Sequence, residues 1–266
     1  MVKIAVCGKG GVGKTLVAAG LACSFADEGL KTLAIDADSA PNLALTLGIT
    51  PEEARKILPI SENKELIESK TRTEYPGVFR LSFKVDDVIR RYSVTTPFGV
   101  DLIVMGTVKS MGSGCTCAAN AVLRALLRHL IVERDEAVIL DMEAGVEHMG
   151  RGTAKSVDEL LIVADANMKA LEIAKRIEEL AVKAGMKQVF LVGNKVADET
   201  QQAVINDFAG ENGLRILDFV PFDQEVVKSE MEGETPMKNK KSQAMQTIQA
   251  LARNLLEPDR VDTARV

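Results

Sequence analysis

The chain has 266 residues, 46% of them hydrophobic, with 33 Lys and Arg against 38 Asp and Glu and a formal net charge of -5. That is enough apolar material for one large core, and α/β folds of this size commonly form a single domain. The acidic balance argues against an overall affinity for nucleic acid, and no apolar stretch approaches the roughly 20 residues needed to span a bilayer. No secretory signal precedes the first apolar run, so the expectation is a cytoplasmic protein whose four cysteines, Cys7, Cys23, Cys115 and Cys117, are reduced thiols.

The first element is the apolar run Val2 to Val6, followed by Gly8-Lys9-Gly10-Gly11-Val12-Gly13-Lys14-Thr15 and a helix-like stretch from Leu16 to Ala26. Further β-branched runs follow at Thr32 to Ile35, Asp101 to Met105, Ala137 to Leu140, Leu160 to Val163, Gln188 to Val192 and Arg215 to Val220. Most are separated by amphipathic, helix-like segments, among them Ala119 to Glu133, Met168 to Ala184 and Glu199 to Asn212. Continuous apolar strands alternating with helices predict an α/β fold, a mainly parallel sheet of seven or eight strands covered on both faces. Pro51 to Gly99, punctuated by prolines and charges, is expected to be an irregular insertion of helices and a loose hairpin on one edge. Gln243 to Leu256 reads as a closing helix, and Glu257 to Val266 as a polar tail on a single domain spanning residues 1–256. Cys7 ends a strand and Cys23 lies inside the first helix, so both are expected in the core.

The segment Gly8 to Thr15 sits between a strand and a helix, the context in which a glycine-rich phosphate-binding loop works. Glycines let the backbone present N–H groups to phosphate oxygens at a helix N-terminus. The nucleotide-contacting stretch is expected to run from Gly8 to Leu16, with Lys14 on the β- and γ-phosphates and the Thr15 hydroxyl on Mg2+. The competing reading is a glycine-rich turn without a ligand. Asp36-Ala37-Asp38 follows the second run, and Asp141-Met142-Glu143-Ala144-Gly145 follows the fourth. Carboxylates at the C-terminal ends of parallel strands face the crevice where ligands bind. Asp141 fits the acidic residue that holds Mg2+, usually through water, and Asp38 the residue that positions the attacking water. Any of these acids, Asp36 above all, can instead cap a turn or helix.

Lys9 is not needed to cradle phosphate within one chain, because Lys14 already serves there. With this second lysine, Gly8 to Thr15 resembles the deviant phosphate loop of the MinD/ParA/nitrogenase-iron-protein class of ATPases. That resemblance implies a P-loop NTPase fold and a homodimer that closes face to face on two ATP molecules. Each signature lysine then reaches its partner's phosphates, giving Lys9 a catalytic part alongside Lys14 and Asp38. The same resemblance places Asn194-Lys195 at the adenine position and Pro221-Phe222-Asp223 in a second nucleotide-contacting loop.

Gly112-Ser113-Gly114-Cys115-Thr116-Cys117 precedes an expected helix, a setting that favours thiolates. Two thiolates suit a soft metal that wants four ligands, zinc or a related ion, which a twofold dimer would complete at the interface. A redox-active dithiol and two incidental small residues are the alternatives. His129 and His148 lack ligand spacing. The Lys9-bearing loop, Val104-Met105-Gly106-Thr107-Val108, the Cys-Thr-Cys segment and Asp141 to His148 together resemble the CooC-type nickel-maturation ATPases that serve carbon monoxide dehydrogenase. The resemblance implies an ATPase binding ATP or ADP with Mg2+ that delivers nickel to that enzyme as client, with the Cys115 and Cys117 pairs forming a Ni2+ or Zn2+ site between subunits; the acidic balance and the polar tail argue against nucleic acid and membrane as partners. An iron-sulfur electron donor of the nitrogenase-iron-protein type and a MinD/ParA-like positioning ATPase are the rival readings.

Overall fold

The computed structural model describes residues 2–71, 74, 91–106, 127, 136–143 and 157–257. Eight strands form one sheet: β1 (Lys3–Gly8), β2 (Thr32–Ala37), β3 (Val94–Thr95), β4 (Asp101–Val104), β5 (Ala137–Met142), β6 (Glu159–Ala164), β7 (Val189–Val196) and β8 (Ile216–Pro221). Their order is β3-β4-β2-β5-β1-β6-β7-β8, parallel throughout except for the antiparallel β3–β4 pair. The expected α/β architecture with a mainly parallel sheet is therefore present. The two-residue β3 is the hairpin partner that closes one edge, and Thr95 Oγ1 donates to Asp101 Oδ1 across it at 2.7 Å.

Strands β1, β5 and β6 are buried along nearly their whole length, as their unbroken apolar runs require when helices cover both faces. The helices are α1 (Lys14–Asp27), the short α2 (Leu43–Thr46) and α3 (Pro51–Ala54), α4 (Lys64–Thr71), α5 (Met168–Lys183), α6 (Glu199–Asn212), α7 (Gln224–Met231) and α8 (Gln243–Leu256). From β1 the chain steps to β2 in one direction across the sheet, and from β6 to β7 and β8 in the other. Right-handed crossovers then put α1 on one face and α5 and α6 on the opposite face. Helix α8 joins α1 on its face, packed so closely that a Cβ on Gly20 would lie 2.6 Å from Ile248 Cγ2.

Within the insertion 51–99, Thr50 and Glu53 form a reciprocal capping box that starts α3. A 3-10 turn, Ile60–Glu62, ties back to the sheet through Ser61 N–H to the Met105 carbonyl at 2.9 Å. Of the helix expected over Ala119 to Glu133, only Leu127 lies among the described residues, and it is helical and buried. Thr107 to Cys117, His129, Ala144 to His148 and the tail beyond Glu257 lie outside the described residues. No helix among the described residues is long and apolar enough to cross a membrane.

Candidate functional site

The direction of travel across the sheet reverses around β1, and the loop leaving its C-terminal end is Gly8 to Thr15. Gly8 has φ 143°, and a Cβ there would fall 2.2 Å from the Val163 carbonyl of β6, so only glycine lets the chain leave the sheet at this point. Helix α1 then begins at Gly13, in the left-handed region at φ 94°, with no side-chain cap and no acidic residue in its first turn. By contrast, Asn167, Asp198, Asp223 and Ser242 each cap a later helix by accepting a backbone N–H. The first N–H groups of α1 are left for an anion, as a phosphate cradle requires.

Lys14 is only 7% exposed and its Nζ donates to the Lys9 carbonyl at 3.5 Å, folded back over the loop. Lys9 itself is half-buried, and its ammonium takes no hydrogen bond or ion pair among the described residues. Gly11, Gly13, Lys14, Thr15, Leu16, Asn194, Lys195, Pro221, Phe222 and Asp223 line one cavity of about 350 Å³. The structure thus brings together the phosphate loop and both expected base-side segments, while Gly8 and Val12 lie buried beneath the loop.

Asp141 lies in β5, 1% exposed, and neither carboxylate oxygen has a hydrogen-bond partner among the described residues. Burial pushes its pKa up to about 7, with the charges of Asp36 and Asp38 adding to the rise. The nearby Thr15 hydroxyl and Lys14 pull it the other way, although Thr15 makes no hydrogen bond of full geometry. An orphaned carboxylate facing a hydroxyl in a phosphate crevice is a donor set for a hard divalent cation, and these residues fit Mg2+.

Asp36 is fully buried in β2, and its carboxylate accepts from Leu43 N–H at 2.9 Å and Asp38 N–H at 3.1 Å. It is the turn-capping acid, starting α2 and shaping the following loop; burial raises its pKa to about 6 despite those bonds. Asp38 is half-buried; its Oδ1 accepts from Ser39 Oγ and Ala40 N–H, leaving Oδ2 without a partner among the described residues. Burial also pushes the Cys7 thiol, beside Lys14 and Asp141, and the Cys23 thiol up to about 12. Both are neutral core residues, as expected.

On the base side, Asn194 and Lys195 lie inside β7, where its register with β8 shifts between Gly193 and Val196. Asn194 Nδ2 donates to the Val12 carbonyl at 2.7 Å and Lys195 Nζ to the Gly11 carbonyl at 2.8 Å. Asp223 is committed to structure. Its carboxylate accepts from Glu225 N–H at 2.9 Å, capping α7, and from Ser242 Oγ at 2.6 Å and Ala244 N–H at 3.3 Å. Burial alone would raise its pKa, but the Ser242 hydroxyl and these backbone donors outweigh it and hold the carboxyl below the usual range. Sequence reasoning missed Asn42 and Thr46 of the α2 region and Val227 and Glu230 of α7, which also line the cavity. None of them carries a motif signal.

The family model described as CobQ/CobB/MinD/ParA nucleotide binding domain matches residues 3–237. The chain belongs to that family. Carbon monoxide dehydrogenase accessory protein CooC of Rhodospirillum rubrum is 41% identical over 87% of this chain and 88% of its own. An ATP-binding protein of Methanocaldococcus jannaschii is 44% identical over 87% of this chain and 89% of its own. Among solved structures, the septum site-determining protein MinD of Pyrococcus horikoshii, complexed with Mg-ADP, superposes with a TM-score of 0.66 at 20% identity, covering 97% of each chain. At that identity the MinD likeness shows the fold. The CooC likeness bears out the CooC-type resemblance, and the family membership makes this a nucleotide-binding domain of the ATPase kind.

Proposed function

We propose that this protein is an ATP-hydrolysing accessory factor that closes as a homodimer on MgATP and delivers nickel to carbon monoxide dehydrogenase. The observation that carries the reading is the likeness to CooC over 87% of the chain at 41% identity. The site geometry supports its ATPase half. Lys14 and the first turn of α1 bind the phosphates, while Thr15 and Asp141 would hold Mg2+, which would supply positive charge against the phosphates. Asp38 orients a water whose oxygen bonds to the γ-phosphorus as the bond to the β–γ bridging oxygen breaks, giving ADP and phosphate. The Lys9 ammonium, without a partner among the described residues, suits a role across the dimer, acting like an arginine finger on the partner's phosphates. Asn194 and the Pro221–Asp223 backbone enclose the base side, with Lys195 beside them on the Gly11 carbonyl.

Cys115 and Cys117 are proposed from sequence as the nickel or zinc ligands, four thiolates meeting at the twofold axis. Anaerobic metal titration with mass determination, on wild type and on the Cys115→Ala/Cys117→Ala double variant, tests this with and without ADP or ATP. One nickel or zinc per dimer, lost in the variant and shifted by nucleotide, supports delivery. Nucleotide-driven dimers without metal refute the nickel role and leave the ATPase standing. A brown, visible-absorbing protein transfers the reading to an iron-sulfur electron donor.

A further inference from the structure

Lys195 is, among the described residues, the one non-glycine with a positive φ, 58°. Such a backbone is uncommon for a side-chain-bearing residue and signals a position held by its surroundings. It falls in the irregular stretch of β7, where the register with β8 shifts between Gly193 and Val196. In a regular strand, consecutive side chains point to opposite faces, so Asn194 and Lys195 would part. A bulge re-aims one of them. Here both reach the same loop, Asn194 Nδ2 on the Val12 carbonyl and Lys195 Nζ on the Gly11 carbonyl.

The peptide unit is planar and trans, so fixing a carbonyl also fixes the following N–H, which lies in the same plane and points the opposite way. Holding the Gly11 carbonyl thereby orients the Val12 N–H, which donates to the Lys9 carbonyl at 3.5 Å. Holding the Val12 carbonyl does the same for the Gly13 N–H. The loop is pressed against these two side chains, for a Cβ on Gly13 would lie 2.2 Å from Asn194 Nδ2 and 3.9 Å from Lys195 Cε.

We propose that Lys195 is a positioning residue: from its left-handed place in the β7 irregularity it straps the Gly11 carbonyl and so holds the phosphate loop in its phosphate-receptive shape. The inference rests on the nucleotide reading of the site and is independent of nickel delivery. Its consequence is a division of labour in which Lys195 governs affinity for the phosphates through the loop and contributes little to the base.

The test uses the full chain and four proteins, wild type, Lys195→Met, Lys195→Gly and Lys195→Arg. Binding of a fluorescent ADP analogue with Mg2+ is measured, then its displacement by ADP, by inorganic tripolyphosphate and by adenosine, alongside urea unfolding. A charge-assisted hydrogen bond in an exposed setting corresponds to a loss of about tenfold. Lys195→Met and Lys195→Gly are expected to lose about that factor for ADP and tripolyphosphate while adenosine stays within about twofold. Lys195→Arg, which still donates, recovers most of the loss. Lys195→Gly relieves the positive φ and unfolds at the same or higher urea, which separates the effect from a damaged fold. Unchanged tripolyphosphate affinity in the Met and Gly variants overturns the strap, and so does an equal loss of adenosine, which would make Lys195 a base contact. A wild-type protein that binds neither ADP nor tripolyphosphate sinks the nucleotide reading and the strap together, whereas binding retained by the variants defeats the strap alone.

Discussion

Replacing Asp141 by Asn is expected to stabilise the nucleotide-free protein while disabling its Mg2+ response. In the folded chain Asp141 titrates near 7, against 3.8 for an ordinary aspartate. At about 1.4 kcal/mol per unit, that difference amounts to a cost of about 4 kcal/mol for holding the ionised carboxylate in place. The Asn amide gives back part of this, because a buried amide without partners costs about 1 to 3 kcal/mol. The net gain at about pH 8 is therefore about 1 to 3 kcal/mol. The sign follows from the raised pKa. Above it the folded state carries the full cost; as pH falls from 7 toward 4 the folded carboxylate takes up a proton before the unfolded one does, and the cost disappears. The wild type thus gains stability over that interval and Asp141→Asn lacks the gain. Urea unfolding of both proteins, nucleotide-free, at about pH 8 and about pH 5 reads the effect. Addition of ADP with and without Mg2+ then shows the lost metal increment. A variant less stable than wild type at the higher pH, or a stability gap that does not change with pH, refutes the reasoning.

Lys9→Ala is expected to keep ADP binding and lose turnover by about 10³-fold or more, as removal of a trans cation does; steady-state ATPase and equilibrium binding separate the two, and unchanged turnover defeats the cross-dimer role. Gly13→Ala forces a Cβ onto Asn194 Nδ2 at φ 94°, so about 2 to 4 kcal/mol of stability and most nucleotide affinity are expected to go, measured by denaturation and ADP titration. Asp223→Ala removes the α7 cap and the partner of the buried Ser242, an expected loss of about 2 to 3 kcal/mol in urea unfolding. Because the Asp223 carboxyl is held below the usual range, its contribution is full above the unfolded pKa of about 4 and is lost as pH falls through the folded value, so wild type and variant converge in acid.

Much of the fold was legible because it rests on short-range pattern. Unbroken apolar runs gave the parallel strands, and the glycine-lysine motif, flanked by a strand and a helix, gave the phosphate loop. The strand limits near Asp141, Asn194 and Lys195 were less legible, because polar residues at the ends of runs still pair in the sheet when their neighbours do. Asp223 shows why side-chain roles resist such reading. Its partners Ser242 and Ala244 lie about twenty residues on, beyond an intervening helix, and nothing local marks them as its donors. Lys195 is similar, since its reach to Gly11 spans most of the chain and depends on a register shift that no composition reveals.

The packing of α8 carries a consequence for biogenesis. This helix, last among the described elements, lies against α1 through Ile248 and anchors the Pro221–Asp223 loop through Ser242. Until it has left the ribosome, α1 lacks a covering face and the base-side loop lacks its tether, although the phosphate loop was synthesised more than two hundred residues earlier. Nucleotide affinity in a nascent chain is therefore expected only once α8 has emerged, and an arrested chain ending before Gln243 is expected to remain nucleotide-blind.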